Sequence, residues 1–505
     1  MSITRQEMRR LQNGSDVRGV AVEGIEGQPV TLTGEAANRI AQAFARWLSA
    51  KTRKPAEDLR ISVGHDSRIS APALKAEVLG GLRAQKAAAL DCGLASTPSM
   101  FMSVLFPETA CDGAIMITAS HLPFNRNGLK FFDADGGLEH ADITALLEDA
   151  GGLDAAEASL EGIEPVDLLS LYAASLRKKI CDWVKAEDYA HPLAGLKIAV
   201  DAGNGAGGFF VEQVLKPLGA DTSGSRYLDP DGTFPNHIPN PEDKQAMEAV
   251  RQATLESHAD LGIIFDTDVD RMSAVLHDGS EVNRDAIIAM MAAILADEYP
   301  GGTVVTDSVT SDRLTRFLEE DLGMKHHRFK RGYKNVINES RRLNAEGILS
   351  PLAIETSGHG ALSENYFLDD GAYLAVKLLI AAANARRQGK QVDSLIAGLP
   401  PLFEAREYRM KIAGEGFREY GAEVLGALEE YARGKAGWEV APDNHEGVRV
   451  SVPGARGWFL LRMSLHDPLM PLNVESGEAG GVAAIVGELR EFLAGWERLD
   501  LGSLG

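Results

Sequence analysis

Short apolar runs ending in Gly, Asp or Ser alternate with amphipathic windows of helical length, the pattern of layered α/β domains whose loops leave the strand ends. Residues 59–63 predict a strand, Gly64-His65-Asp66-Ser67-Arg68 a loop, and residues 71–85 a helix. Gly113-Ala114-Ile115-Met116-Ile117 has no polar side chain and predicts a buried strand, followed by a polar loop over 118–127 and a further strand over 128–132. Residues 149–165 are rich in Gly, Ala and Glu with weak periodicity, which predicts a connection between domains. A second set begins with a strand over 196–200, runs through Asp201-Ala202-Gly203-Asn204-Gly205-Ala206-Gly207-Gly208, and includes a strand over 261–265. A third set starts at Thr303-Val304-Val305-Thr306 and holds Leu352-Ala353-Ile354 and a long helix over 371–386. Beyond Gly398-Leu399-Pro400-Pro401 the pattern changes to several strands with a helix near each end, over 417–433 and 480–494. The reading is an α/β protein of three successive α/β domains, 1–155, 165–299 and 300–402, followed by a C-terminal α+β domain over 403–505. This rests on element order, since no repeat shows at the level of sequence.

A chain of 505 residues agrees with that division, at roughly 150 residues per domain. With 45% apolar and 25% charged residues it can bury several cores. Lys and Arg number 51 against 73 Asp and Glu, a net charge of -22 that repels nucleic acid and anionic membranes over most of the surface. An anionic substrate must therefore meet a local cluster of cations or a metal. Cys92, Cys111 and Cys181 are too few and too scattered for a disulfide framework or a zinc site. Met1-Ser2-Ile3-Thr4-Arg5-Gln6-Glu7 lacks the apolar core of a signal peptide, and no apolar run reaches membrane-spanning length. These features predict a soluble, cytoplasmic protein with small-molecule partners, and leave its oligomeric state open.

The sharpest chemical feature is Phe265-Asp266-Thr267-Asp268-Val269-Asp270-Arg271, three carboxylates at alternate positions leaving an apolar strand. Like charges so close call for a cation between them, and carboxylate oxygens suit Mg²⁺ or Ca²⁺ better than zinc. An EF-hand needs Gly at its sixth position and Glu at its twelfth, where this chain has Arg271 and His277. The loop Thr118-Ala119-Ser120-His121-Leu122-Pro123-Phe124-Asn125-Arg126-Asn127-Gly128-Leu129-Lys130 puts a serine at the end of a buried strand beside a histidine, a possible nucleophile and proton carrier. Adjacent residues ordinarily point apart, so the pair also suits an ordinary loop. In Glu355-Thr356-Ser357-Gly358-His359, Glu355 and Ser357 have the acceptors and donors that sugar hydroxyls require, and a turn or cap would use the same residues. Arg462 and Ser464, in Arg462-Met463-Ser464-Leu465-His466-Asp467-Pro468, suit a phosphate dianion or a surface turn. Gly203-x-Gly205-x-Gly207-Gly208 lacks the full spacing of a dinucleotide turn, and Lys325-His326-His327-Arg328-Phe329-Lys330-Arg331 is read as part of an anion-binding wall.

Together and in this order, these four features resemble the α-D-phosphohexomutase family, particularly its phosphoglucomutase/phosphomannomutase members. The family pattern is a phosphoserine loop T-A-S-H-N-P-x-x-x-N-G-x-K, a metal loop D-x-D-x-D-R, a sugar loop G-E-x-S-G-H and a phosphate loop R-x-S-G-T-E-P. Asp16-Val17-Arg18-Gly19 is similar to the family's D-x-R-G, and Arg331-Gly332-Tyr333-Lys334 to its third-domain G-x-K loop. The resemblance implies four domains around a central cleft, a phosphoryl group on Ser120, and Mg²⁺ held by Asp266, Asp268, Asp270 and a phosphoserine oxygen. Three carboxylates and a phosphoryl group of about -1.5 to -2 leave roughly -3 after a divalent ion, which Arg18, Lys130 and Arg271 are placed to offset. The implied reaction interconverts hexose 1-phosphate and 6-phosphate, of glucose or mannose, through a bisphosphorylated sugar that serves as intermediate and activator. Lys130, His121 and Arg18 are then the proton-transfer residues. Arg271, Arg331, Lys334, Glu355, Ser357 and His359 bind the sugar phosphate, while Arg462, Ser464 and His466 hold the non-reacting phosphate.

Three departures bear on substrate and rate: Leu122 replaces an Asn, Ile354 replaces a Gly, and Leu465-His466-Asp467 replaces Gly-Thr-Glu. An amino-sugar phosphate mutase and a non-catalytic sugar-phosphate-binding relative are the nearest alternatives. Phe265-Asp266-Thr267-Asp268 also resembles the first motif of haloacid-dehalogenase phosphohydrolases, but Asp270 stands where that family has Thr or Val.

Overall fold

A computed structural model describes residues 3–158, 162–442, 444–464 and 467–504. The chain divides into two compact units, Met1–Ile294 with Ser357–Leu395, and Leu295–Thr356 with Ile396–Gly505.

The first unit opens with a mixed sheet in the order Gln12–Asn13, Asp16–Val20, Arg126–Asp133, Gly113–Ile117, Arg60–His65, Ala88–Leu94, Glu164–Pro165. Arg60–His65 lies parallel to both Ala88–Leu94 and Gly113–Ile117, whereas Arg126–Asp133 runs antiparallel between Gly113–Ile117 and Asp16–Val20. Gly113–Ile117 is buried at every position, as expected for a strand covered on both faces. Helices Gly34–Thr52, Ala71–Ala84 and His140–Ala150 pack their apolar faces on it, with Phe44 and Phe131 in ring contact at 5.0 Å. The Gly/Ala/Glu-rich stretch starts inside a helix that runs to Ala150, and its end, Glu164–Pro165, pairs in parallel with Leu90 and Asp91. Pairing with an existing sheet edge takes only two residues, too few to leave a periodic signal.

A second sheet of this unit has the order Glu281–Val282, Met272–Leu276, Leu261–Phe265, Ile198–Asp201. The hairpin Gly360–Leu362 and Leu368–Asp369 leads into helix Gly371–Arg387, capped by Asp370 accepting from the Tyr373 amide.

In the second unit Thr303–Thr306 lies between Lys325–Arg328 and Leu352–Ile354, all parallel, with helix Tyr333–Ala345 packed against them. The C-terminal region is an antiparallel sheet in the order Glu404–Lys411, Leu469–Ser476, Gly457–Leu461, Val448–Val452, Glu439–Val440. Helices Phe417–Gly434 and Gly481–Leu493 cover it through Val424, Leu428, Ile485 and Leu489. Among the described residues, no helix is long and apolar enough to cross a membrane.

Candidate active site

The polar motifs leave the carboxyl ends of strands, where α/β sheets open their loops. Gly113–Ile117 ends at Thr118, whose hydroxyl donates to Asp66 Oδ2 at 2.7 Å and accepts from the Ser120 amide at 2.9 Å. This small turn holds Ser120 at φ +50°, a left-handed backbone unusual for serine. The turn changes what adjacency implies: Ser120 Oγ and His121 Nδ1 lie 3.3 Å apart instead of pointing away from each other. Arg68, 1% exposed, holds the loop from beneath. Its guanidinium donates to the carbonyls of Ser120, Leu122 (2.6 Å), Pro123 (2.8 Å) and Arg126 (2.9 Å).

Leu261–Phe265 delivers the acidic loop. A left-handed Val269, at φ +65°, turns the chain so that oxygens of Asp266, Asp268 and Asp270 all lie within 4.8 Å of one another. Alternation along a continued strand does not bring them together; the loop does. Its floor is the glycine-rich turn. The Ala206 amide donates to the Thr267 carbonyl at 2.8 Å, and a Cβ on Gly205 would stand 2.6 Å from that same oxygen. The close approach explains glycine there without a nucleotide.

Ser120 Oγ donates to Asp266 Oδ2 at 2.9 Å, so the nucleophile and the acidic loop share one site. Arg271 spans them, with Nε to Asp266 Oδ2 at 3.2 Å and Nη2 to Ser120 Oγ at 2.9 Å and to His121 Nδ1 at 2.6 Å. Lys130 Nζ donates to Asp268 Oδ2 at 2.9 Å and Asp270 Oδ2 at 2.5 Å, and Thr97 Oγ1 donates to Asp268 Oδ2 at 2.5 Å. Arg18 pairs with Asp16 at 3.0 Å, and its field still reaches His121.

The residues fit a hard divalent cation. Among the described residues, Asp268 Oδ1 and Asp270 Oδ1 are buried without a hydrogen-bond partner, although buried carboxylate oxygens are ordinarily paired. Lys130 and Arg271 bring two positive charges against three negative ones. Burial, then Asp270 and Asp268, push the Asp266 carboxyl well above its ordinary range. Lys130, His359 and Arg271 hold Asp270 below that range despite burial. Burial, with Arg271 and Arg18 adding to it, pushes His121 down to about 2.

Gly358 has φ +91°, and a Cβ there would meet the Met272 carbonyl oxygen at 2.5 Å, so only glycine lets the next residue bridge to Arg271. That residue, His359, places Nδ1 2.5 Å from Asp369 Oδ2 and 3.9 Å from Asp270 Oδ1. Against burial, these two carboxylates raise the imidazole to about 9. Ser357 Oγ, nearby in sequence, is buried and unpartnered among the described residues.

Within the second unit, Glu355 Oε1 accepts the Gly332 amide at 2.6 Å, tying the strand end to the turn that starts helix Tyr333–Ala345, whose second residue is Lys334. The Arg331 amide donates to Glu446 Oε2 at 3.1 Å, and Arg331 Nε lies 3.7 Å from Asp307 Oδ2. Arg462 Nη1 lies 3.9 Å from Glu446 Oε1, and its Nε is buried without a hydrogen-bond partner among the described residues. Ser464 Oγ accepts the Asp467 amide at 3.2 Å. Leu465 and His466 lie outside the described residues.

In the first unit the structure thus gathers Ser120, His121, Lys130, Asp266, Asp268, Asp270, Arg271 and His359 through direct contacts. In the second it gathers Arg331 and Arg462 around Glu446, with Glu355 on the Gly332 turn. Sequence reasoning missed Arg68, Thr97, Asp307, Asp369 and Glu446. Asp307 follows the strand Thr303–Thr306 directly, and that position was the available signal. Arg68 and Thr97 act on motif residues distant in sequence, which no local pattern reveals.

Comparison with known proteins identifies the lineage. Residues 9–151, 172–279 and 283–403 match, in order, phosphoglucomutase/phosphomannomutase alpha/beta/alpha domains I, II and III. A phosphomannomutase/phosphoglucomutase of Pseudomonas putida is 30% identical over 461 residues, covering 91% of each chain. A phosphoglucomutase of Neisseria meningitidis is 27% identical, covering 93% of this chain and 94% of its own. The crystal structure of a phosphoglucomutase/phosphomannomutase family protein from Burkholderia thailandensis superposes with a TM-score of 0.78 at 25% identity over 98% of each chain. With the three α/β/α domains, a further sheet domain and near full-length similarity, the chain belongs to the phosphoglucomutase/phosphomannomutase family.

Proposed function

We propose that this protein interconverts hexose 1-phosphate and hexose 6-phosphate, of glucose or mannose, by way of a phosphorylated Ser120 and a bisphosphorylated sugar. The observation that carries the reading is the hydrogen bond from Ser120 Oγ to Asp266 Oδ2 at 2.9 Å, with Arg271 Nη2 donating to Ser120 Oγ at 2.9 Å. A Mg²⁺ held by Asp266, Asp268, Asp270 and the phosphoserine would neutralise phosphoryl charge during transfer.

The serine O–P bond breaks as the free sugar hydroxyl forms its own bond to phosphorus and gives up its proton, and that proton returns to the departing Ser120 oxygen, to which Arg271 donates. The bisphosphorylated sugar then reverses its orientation and returns its other phosphoryl group to Ser120. Such a transfer depends on positioning and charge neutralisation more than on covalent assistance. His121 Nδ1 accepts the Arg271 N–H, so the proton of the neutral ring lies on Nε2. It shares proton transfer with Lys130 and Arg18. Arg271, Arg331, Lys334, Glu355, Ser357 and His359 bind the sugar phosphate, and Arg462, Ser464 and His466 anchor the phosphate that is not reacting. The four-domain division at 155, 165, 299 and 402 and a cytoplasmic setting belong to the same reading, the latter supported by three buried free cysteines.

Intact mass with peptide mapping tests the reading directly. The isolated protein should carry one phosphoryl group on Ser120, and Ser120→Ala should abolish turnover in a coupled assay run over a panel of glucose, mannose and glucosamine 1-phosphates. Turnover retained by Ser120→Ala, or no turnover of any sugar in the Mg²⁺-supplied wild type, overturns it.

A further inference from the structure

Apart from the residues of the candidate active site, the second unit holds a cavity of about 680 Å³. Four arginines, Arg313, Arg316, Arg328 and Arg456, line it against two carboxylates, Asp312 and Glu475. The lining therefore carries +2 in a chain of net charge -22. Both carboxylates are already engaged: Asp312 accepts from Arg328 and from Arg449, each at 2.9 Å, and Glu475 accepts the Ser311 hydroxyl. Arg313 is held by the Pro400 carbonyl at 2.7 Å. Arg316 and Arg456 are exposed, and their guanidinium groups make no ion pair or hydrogen bond among the described residues. Two uncommitted guanidinium forks on one cavity are a receptor for phosphate oxygens, which they match in geometry as well as charge.

The rest of the wall sets the hydroxyls of Thr315, Ser451 and Ser476 beside an apolar part. Pro400, Pro401, Phe403 and Trp458 contribute to it, and Phe403 is 61% exposed. Trp458 is only 3% exposed, its ring lies under the Arg449 guanidinium at 3.7 Å, and its indole N–H is buried without an acceptor among the described residues. A cavity of this size lies within the range that encloses a whole small molecule. An inorganic anion or a hydroxyl-covered sugar phosphate would leave the aromatic and proline wall wet.

We propose that this cavity binds an organic anion carrying at least two phosphate charges on a planar ring, of the nucleoside diphosphate class, at a site separate from the mutase centre. Arg316 and Arg456 take the phosphates, and Phe403 covers the ring. The lining combines Arg328, at the end of the parallel strand Lys325–Arg328, with Gly457, Trp458 and Glu475 of the antiparallel sheet, so a bound ligand touches both.

The test is titration calorimetry on the full chain with ADP as the probe, using inorganic pyrophosphate and adenosine as charge-only and ring-only controls. ADP should bind at least about tenfold more tightly than either control. Raising salt from about 50 to about 300 mM should weaken it. The double variant Arg316→Glu/Arg456→Glu should lose at least about tenfold in affinity with unchanged hexose-phosphate turnover and circular dichroism. Phe403→Ala should bring ADP down to the affinity of pyrophosphate, which keeps the question answerable if the double variant misfolds. Absence of ADP binding at millimolar concentration, undiminished binding by both variants, or displacement of ADP by glucose 1-phosphate overturns the site. Pyrophosphate binding as tightly as ADP overturns the ligand class.

Discussion

Arg68 gives the architecture its most exacting test, because a conservative change removes geometry while leaving charge. Its side chain is buried and supplies four carbonyl contacts to the loop that carries Ser120, while Nε faces Asp66 Oδ2 at 3.4 Å. Lysine places three donors on one tetrahedral nitrogen, and cannot reach four carbonyls arrayed around a planar fork. Losing two charge-assisted hydrogen bonds, at about 1.5–3 kcal/mol each, gives Arg68→Lys a cost of about 3–6 kcal/mol. That is a large part of the whole stability of a typical domain. If the loop loosens before the domain unfolds, the loss appears in the chemistry instead, since a displacement near 1 Å can cost about a hundredfold in rate. Burial, moderated by Arg68 and Thr118, already raises Asp66 to about 6, so in Arg68→Ala the carboxyl takes a proton and avoids part of the penalty of an unpaired buried charge. Guanidinium denaturation, with coupled kinetics on glucose 1-phosphate, should show Arg68→Lys losing stability, kcat or both, with KM moving less than kcat. A variant within about 0.5 kcal/mol of wild type and within about twofold in kcat would refute the clamp.

Two further predictions follow from the same unit. Asp268→Asn removes one of the three carboxylates and should weaken Mg²⁺ binding by at least about tenfold in calorimetry, with unchanged affinity counting against the metal loop. His237 donates to Asp201 at 3.0 Å and carries a raised pKa: burial lowers it, but the Asp201 hydrogen bond and charge outweigh burial, with the Ile238 carbonyl and Asp243 adding to them. A folded value above the unfolded one, about 6.5, means stability that is complete below that pH and is lost as pH rises through the folded value. His237→Gln should therefore flatten the fall in denaturation free energy on the alkaline side of pH 6.5, and a parallel curve for wild type and variant would remove the ion pair from the account.

How legible the molecule was depended on the range of the interaction. Buried strands such as Gly113–Ile117 and Leu261–Phe265 announce themselves as uninterrupted apolar runs, and helix Ala71–Ala84 as a periodic one. The order of these elements was enough to anticipate three α/β layers and a different final sheet. Convergence was not legible. Asp268 meets Lys130 across 138 positions and Ser120 meets Asp266 across 146, and neither spacing leaves a trace in either local window. The family resemblance supplied those pairings in advance, where periodicity could not. Glu355 was expected as a sugar ligand or as part of a turn or cap, and the structure shows it accepting the backbone amide of Gly332.

The departures from the family pattern become intelligible once side chain and backbone roles are separated. At position 122 the structure uses the carbonyl, which accepts from Arg68 at 2.6 Å, so replacing Asn by Leu leaves the clamp's contact in place. Ile354 is wholly buried and stands opposite Thr306 in a parallel pair, where a β-branched side chain suits the strand. Gly205 and Gly358 are the opposite case: the added Cβ would stand within 2.6 Å of a carbonyl oxygen at each. Substitution is thus tolerable in these motifs where the site uses main-chain atoms and a side chain has room. It is costly where two main chains must approach closely, and the glycines that permit those approaches hold the acidic loop and His359 in place.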